Sequence, residues 1–246
     1  MAMNDLIRRG YAPTGSLRVA LNFGNRVLVG RDASGLPSGI SVDLARGLAQ
    51  AIGCELEFLE YDRAIDVSDS AEAGVWDVCF LAVDPKRGET IEFTEPYVGI
   101  SGCYLVGARV TAQNSPELVA RGHSVGAVEG SAYTLHLSRQ PGSDRLVPYP
   151  DIFAALAALD SGEVDAIAGI QQAMEGEAGL RPGSRVLQPP FMEIRQAMGL
   201  PVGRPEATSH LRAYLADLAR SGTVGEILER HGVAASCAII PAIASD

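Results

Sequence analysis

Apolar and polar positions alternate through residues 17–23 (LRVALNF) and again through 55–61 (ELEFLEY), where Leu56 and Phe58 alternate with Glu55, Glu57 and Glu60. A period of two marks a strand in each. Between them lies the Gly- and Pro-punctuated stretch 31–39, read as hairpin-like, and then a helical pattern. Val42, Ala45, Leu48, Ala49 and Ile52 fall on one helical face, and Gly53 supplies the stop. Residues 63–74 predict a poor or broken helix, and the apolar run 77–83 (DVCFLAV) predicts a buried strand. The order βαβαβ implies right-handed crossovers and a parallel sheet whose ligand sites lie at the carboxyl ends of the strands.

A second set of elements follows. Strands are predicted over 102–108 (GCYLVGA), 124–130 (SVGAVEG) and 164–170 (VDAIAGI), with a short one over 185–191 (RVLQPPF). A short helix begins near Pro116 with Ser115 as its cap, and another opens behind Gly130 over 131–139. Asp151 caps a helix over 151–162 whose apolar stripe is Ile152, Phe153, Leu156 and Leu159. The chain closes with helices over 205–222, opened by Pro205, and 223–232, each ended by glycine. The two halves are alike in plan without a short-period repeat, which excludes a solenoid.

A chain of 246 residues accommodates one large α/β domain or two lobes. Its 47% apolar and 20% charged content is ordinary for a globular protein and too apolar for a disordered one. A formal charge of -10 disfavours nucleic acid or an anionic membrane as the main partner. Cys54, Cys79, Cys103 and Cys237 lack CxxC or Cys/His metal spacing and read as small core residues. His123, His136, His210 and His231 are scattered, and Trp76 reads as a packing residue. No GxSxG, phosphate loop or Cys/His nucleophile pattern occurs, so no catalytic residue, metal site or cofactor is expected. No apolar stretch is long enough for a membrane span, and MAMNDLIRRGYAPTG has no hydrophobic core of a secretory leader. The expected location is therefore cytoplasmic for the chain as it stands, or periplasmic if a leader has been removed.

The words LRVAL, GLPSGISVDLARGLAQAIG, WDVCFLAVDPKRGETIEFTEPYVGISGCYLV, SVGAVEGSAYTLHL, ALAALDSGEVDAIAGI and LRAYLADLARSGTVGEILERHG occur in that order between Leu17 and Gly232. Together they resemble the bacterial extracellular solute-binding proteins of the amino-acid type, which share the type II periplasmic-binding-protein fold with the ligand domains of ionotropic glutamate receptors. The resemblance implies an α/β fold, a two-lobed clamshell with a mostly parallel sheet flanked by helices in each lobe. Lobe 1 would comprise residues 15–106 plus 195–246 and lobe 2 residues 107–194, with hinge crossings near 105–107 and 196–200. Ligand contacts made only in a closed form would then drive closure.

Asp84 is placed to cap a short turn begun by Pro85, which fixes where Arg87 emerges. The resemblance implies that Arg87 grips a ligand carboxylate as a bidentate pair, leaving Lys86 solvated. A surface arginine paired with Glu89 or Asp84 is the alternative. Free amides at Ser131 and Ala132, aided by the helix dipole, would hold an anion; otherwise Ser131 is an ordinary N-cap, and Tyr133 and Thr134 face outward.

Several positions depart from the family pattern. The carboxylate expected five residues after Asp165, to pair with an α-ammonium, is Ile170; the first-strand acid is Asn22; the aromatic is Leu28; and two hydroxyl or backbone positions are Phe80 and Ala82. An ammonium buried against Ile170 without a counter-charge is costly unless Gln171 or Glu129 substitutes. The expected ligand is thus a small organic anion or amino-acid-like solute with an apolar or aromatic body, contacted by Phe80, Leu28 and Ile170. Delivery to an ABC-type membrane permease, by a monomer, is the leading reading. A cytosolic ligand sensor is the second, and a dehydratase-like enzyme using Glu129 as general acid is the third.

Overall fold

The computed structural model describes residues 5–241. In chain order the elements begin α1 (Asp5–Tyr11), β1 (Ser16–Asn22), β2 (Gly30–Arg31), β3 (Pro37–Ser38), α2 (Ile40–Ile52), β4 (Glu55–Tyr61), α3 (Ala64–Asp69), β5 (Val78–Ala82), β6 (Ile91–Phe93) and β7 (Val98–Val106). They continue α4 (Ser115–Ala120), β8 (Val125–Val128), α5 (Ala132–Leu137), β9 (Leu146–Tyr149), α6 (Ile152–Ser161), β10 (Ala166–Ile170) and α7 (Gln171–Gly179). Last come β11 (Arg185–Val186), β12 (Met192–Pro201), α8 (Pro205–Arg220) and α9 (Thr223–Arg230). The chain divides into two compact units, one built from residues up to Gly99 with those from Arg195 onward, the other Ile100–Ile194. Residues 100–106, expected to close the first lobe, fall in the second unit because Gly102–Val106 pair with β10 and Leu105–Val106 with β11.

In the first unit β1 is central, parallel to β4 from Ser16↔Glu55 to Asn22↔Tyr61 and to β5 at Val19↔Val78 and Ala20↔Cys79. β12 then runs antiparallel to β5, with Gln196 opposite Ala82. This is the expected βαβαβ order. α2 covers the sheet with Val42, Leu44, Ala45, Leu48 and Ile52 buried, each of the larger side chains contributing roughly 1.5–3 kcal/mol relative to exposure. Its end is set by Gly53, whose left-handed φ of 66° lets its N–H reach back to the helix carbonyls of Ala49 and Gln50. On the other face Trp76, Cys79, Leu81 and Ile91 pack together, and the Trp76 indole donates to Ser70 Oγ at 3.0 Å. Both placements agree with the buried readings of Trp76 and Cys79.

In the second unit β10 is parallel to β8, β8 to β9, and β7 runs antiparallel to β10 and β11. Two local readings are corrected. Asn114, not Ser115, caps α4, accepting from Glu117 N–H at 2.9 Å, while Ser115 Oγ donates to the Pro189 carbonyl at 2.7 Å. Phe153 leaves the expected stripe of α6: it is 63% exposed, because the face through Ile152, Ala155, Leu156 and Leu159 points inward and Phe153 lies about 100° away from it. Asp151 caps this helix as expected, accepting from Ala154 N–H at 2.8 Å. α1, α7, β6, β9 and β12 were not anticipated, and of the strand expected over 185–191 only Arg185–Val186 forms.

Asp77, fully buried just before β5, binds the elements of the first unit together. Arg18 on β1 donates to it through Nε at 2.8 Å and Nη2 at 3.0 Å, and Arg204, ahead of α8, through Nη1 at 2.9 Å. Arg18 also reaches the Gly74 carbonyl and Arg204 the Gly10 carbonyl in α1. Replacing Asp77 by Ala leaves two arginines without their acceptor, and is expected to cost about 3–5 kcal/mol in urea unfolding. A loss below 1 kcal/mol would show that the cluster is not a fastener.

Candidate functional site

The register of β1 against β5 brings their carboxyl ends to one edge of the first unit's sheet. Beyond β5 the chain turns sharply. Asp84 Oδ1 accepts from Lys86 N–H at 3.0 Å and the Asp84 carbonyl from Gly88 N–H at 2.9 Å, while Pro85 between them needs no acceptor. This closed turn directs the side chain of Arg87 inward. Arg87 is 3% exposed, and its Nη1 donates to the Ala82 carbonyl at 3.0 Å. Burial pushes the guanidinium below its ordinary pKa, opposed by the charge of the neighbouring Asp84 and by Cys79. The reading of Arg87 as a surface residue is therefore corrected: it is buried, and Asp84, itself buried, stands beside it.

The other residues singled out in this unit divide into two groups. Phe80, Ala82 and Leu28 belong to the interior. Phe80 meets Tyr97 edge to face at 6.4 Å, and the Leu28 carbonyl receives Ser41 N–H at the start of α2. Asn22, half-buried at the end of β1, accepts from Gly24 N–H at 3.1 Å. The next residue, Phe23, was not singled out; it is half-buried at the carboxyl edge, with the Arg31 guanidinium 4.5 Å from its ring centre and Arg31 paired with Glu60. An aromatic closing a strand at its carboxyl end was the available signal.

In the second unit, β8 leads through Gly130, whose φ of 65° suits glycine, into α5. Ser131 N–H is already donated to the Val128 carbonyl at 3.1 Å, so the expectation that this amide is free is corrected. Ser131 Oγ accepts from Thr134 N–H at 3.1 Å and lies 2.8 Å from Thr134 Oγ1, which donates to Val128 O at 2.6 Å. Ser131 is thus an N-cap, and Thr134 is turned inward. Ala132 opens the helix, and its amide is among the first-turn donors that an α-helix leaves without an intrahelical acceptor. Tyr133 packs against the core, and burial raises its phenol to about 12.

Ile170 ends β10 opposite Gly102 and precedes α7. Its neighbour Gln171 donates through Nε2 to Glu175 Oε1 at 2.7 Å and accepts from the Cys103 thiol at 3.6 Å. Burial pushes that thiol up to about 11. At the opposite end of the strands, His123 Nδ1 lies 3.0 Å from Asp165 Oδ2, which also receives Ser124 N–H at 3.0 Å and Ser124 Oγ–H at 3.2 Å. Among the described residues no group of three or more His, Cys, Asp or Glu is arranged to hold a metal ion, and no helix is long and apolar enough to cross a membrane.

The chain belongs to the bacterial extracellular solute-binding proteins, family 3, whose family model matches residues 17–234. Solved structures with the same fold include the amino acid ABC transporter substrate-binding protein AbpA from Streptococcus pneumoniae bound to L-arginine, at 22% identity, a TM-score of 0.75 and coverage of 91% of this chain and 97% of that one. A histidine kinase sensor domain similar to periplasmic binding proteins matches at 20% identity and TM-score 0.76, covering 92% and 98%. The ancestral amino acid-binding protein AncCDT-1, a precursor of cyclohexadienyl dehydratase, matches at 18% and 0.74, covering 93% and 99%. These likenesses establish the type II periplasmic-binding-protein fold.

Two outcomes follow from the second unit. Ser131→Ala removes the cap of α5 and should lower stability by about 1 kcal/mol in chemical unfolding; no change would mean that Thr134 alone closes the turn. Burial tends to raise the Asp165 carboxyl, but the hydrogen bonds from His123 and Ser124 outweigh it and hold it below the ordinary value. A carboxyl depressed in the folded state contributes stability above its unfolded pKa, and that contribution disappears as pH falls through the folded value. The loss of stability on acidification should therefore be smaller in Asp165→Asn than in the parent chain, when unfolding midpoints are compared from neutral pH downward.

Proposed function

We propose that this family 3 solute-binding protein captures a small carboxylate-bearing solute, with Arg87 as the group that receives the acid, and delivers it to an ABC-type permease from the periplasm. The observation that carries the proposal is the inward guanidinium at the carboxyl end of β5, where an α/β sheet places its ligands. Arginine suits this task because its planar donors match a carboxylate in pairs. Asn22 and Phe23 stand at the carboxyl end of β1 in the same unit. Two of the solved relatives are described as amino acid-binding, which supports a carboxylic acid as the recognised group.

The finer choice concerns the amine. By the family pattern an ammonium-pairing carboxylate is expected at Ile170, whose side chain carries no charge. Gln171 could have substituted, but its amide is engaged by Glu175 and Cys103. We favour an organic acid with an apolar or aromatic body over a free amino acid, since an ammonium desolvated beside Ile170 is penalised unless Glu129 pairs with it. The histidine kinase sensor domain among the structural relatives favours a second reading, the same solute recognition used for sensing.

Calorimetric titration with phenylalanine, leucine and their 2-oxo and 2-hydroxy counterparts tests the proposal. The deaminated acid is expected to bind more tightly than its amino acid, and Arg87→Ala to weaken it by about 30-fold or more. Tighter binding of the amino acids would overturn the choice of an amine-free ligand. Undiminished binding by the Arg87 variant would remove the anchor itself.

A further inference from the structure

The turn that presents Arg87 holds a second buried charge. Asp84 is 5% exposed and stands three residues before Arg87 on a turn closed by Lys86 N–H to Asp84 Oδ1 and Gly88 N–H to the Asp84 carbonyl. The guanidinium also donates through Nη1 to the Ala82 carbonyl at 3.0 Å. The thiol of Cys79 on β5 also acts on Arg87, and burial keeps it protonated with a pKa of about 12. Asp84 supplies negative charge beside the guanidinium.

This arrangement has two opposing effects. A guanidinium withdrawn from water is penalised, and an adjacent carboxylate offsets the penalty, so Asp84 helps to keep Arg87 inside. The same carboxylate repels any second acid that approaches the guanidinium, because charges in a site withdrawn from water are weakly screened. An incoming carboxylate thus meets a nearly balanced pair rather than a bare cation. We propose that Asp84 is a specificity-determining residue, an internal counter-charge that positions Arg87 and restrains its affinity for external carboxylates. The inference rests on the reading of Arg87 as the acid-binding group. It gives a sign opposite to that of a purely structural role: removing the charge while keeping the turn tightens anion binding.

Asp84→Asn and Asp84→Ser each keep a side-chain oxygen for Lys86 N–H while discarding the charge. Formate, a carboxylate with no body, serves as the probe, titrated by NMR into the full chain, both variants, and Asp84→Asn combined with Arg87→Gln. At least one neutral variant that unfolds at the parent's temperature is expected to bind formate about tenfold more tightly than the parent, and the combined variant to lose that gain. Formate binding that is unchanged, weaker or absent in both neutral variants overturns the inference, as does a gain that survives without Arg87. Titration of the parent with the 2-oxo and 2-hydroxy acids reports separately on the anchor. Arg87-dependent binding there, with no gain at position 84, removes only the counter-charge. A gain with formate where the parent binds none of the larger acids keeps the counter-charge and removes the proposed ligand class.

Discussion

The first unit depends on one carboxylate without solvent contact. Asp77 lies between Arg18 and Arg204, and through them it holds β1, the start of β5, the approach to α8 and the carbonyl of Gly10 in α1. A buried anion of this kind is tolerated only when every lone pair is met, and here two guanidiniums and the Arg18 amide meet them. The cluster also sets position. By tying Arg18 to the residue before β5, it fixes the relation of the two strands whose far ends carry Asn22, Phe23 and the Arg87 turn.

Arg87 shows the complementary use of a buried charge. Asp77 accepts from two guanidiniums, whereas the Arg87 guanidinium donates to the Ala82 carbonyl and feels the charge of the neighbouring Asp84. The turn that places Arg87 is short and closed by the Asp84 side chain and carbonyl, and the Ala82 carbonyl holds the guanidinium itself.

In the second unit the polar groups at the carboxyl ends of the strands are mostly occupied. Ser131, Thr134 and Gln171 bond within their own helices or to the adjacent strand, and Ser131 N–H closes a turn on Val128. Residues of suitable type for holding a solute are thus serving local structure. At the end of β10 the side chain of Ile170 itself is apolar.

The sequence by itself determined the periodic elements: β1, α2, β4, β5, α6, α8 and α9 all follow from apolar spacing, caps and terminal glycines, because those signals act over a few residues. The ordered words between Leu17 and Gly232 likewise identified the family. Only the tertiary structure decided which side chains are withdrawn from water. Leu28 and Phe80 entered the core, Phe153 faced outward, Ser131 gave up its amide, and Arg87 and Asp84 were buried together. Burial and charge pairing are properties of residues brought together from distant parts of the chain, such as Arg18, Asp77 and Arg204, and no local pattern encodes them.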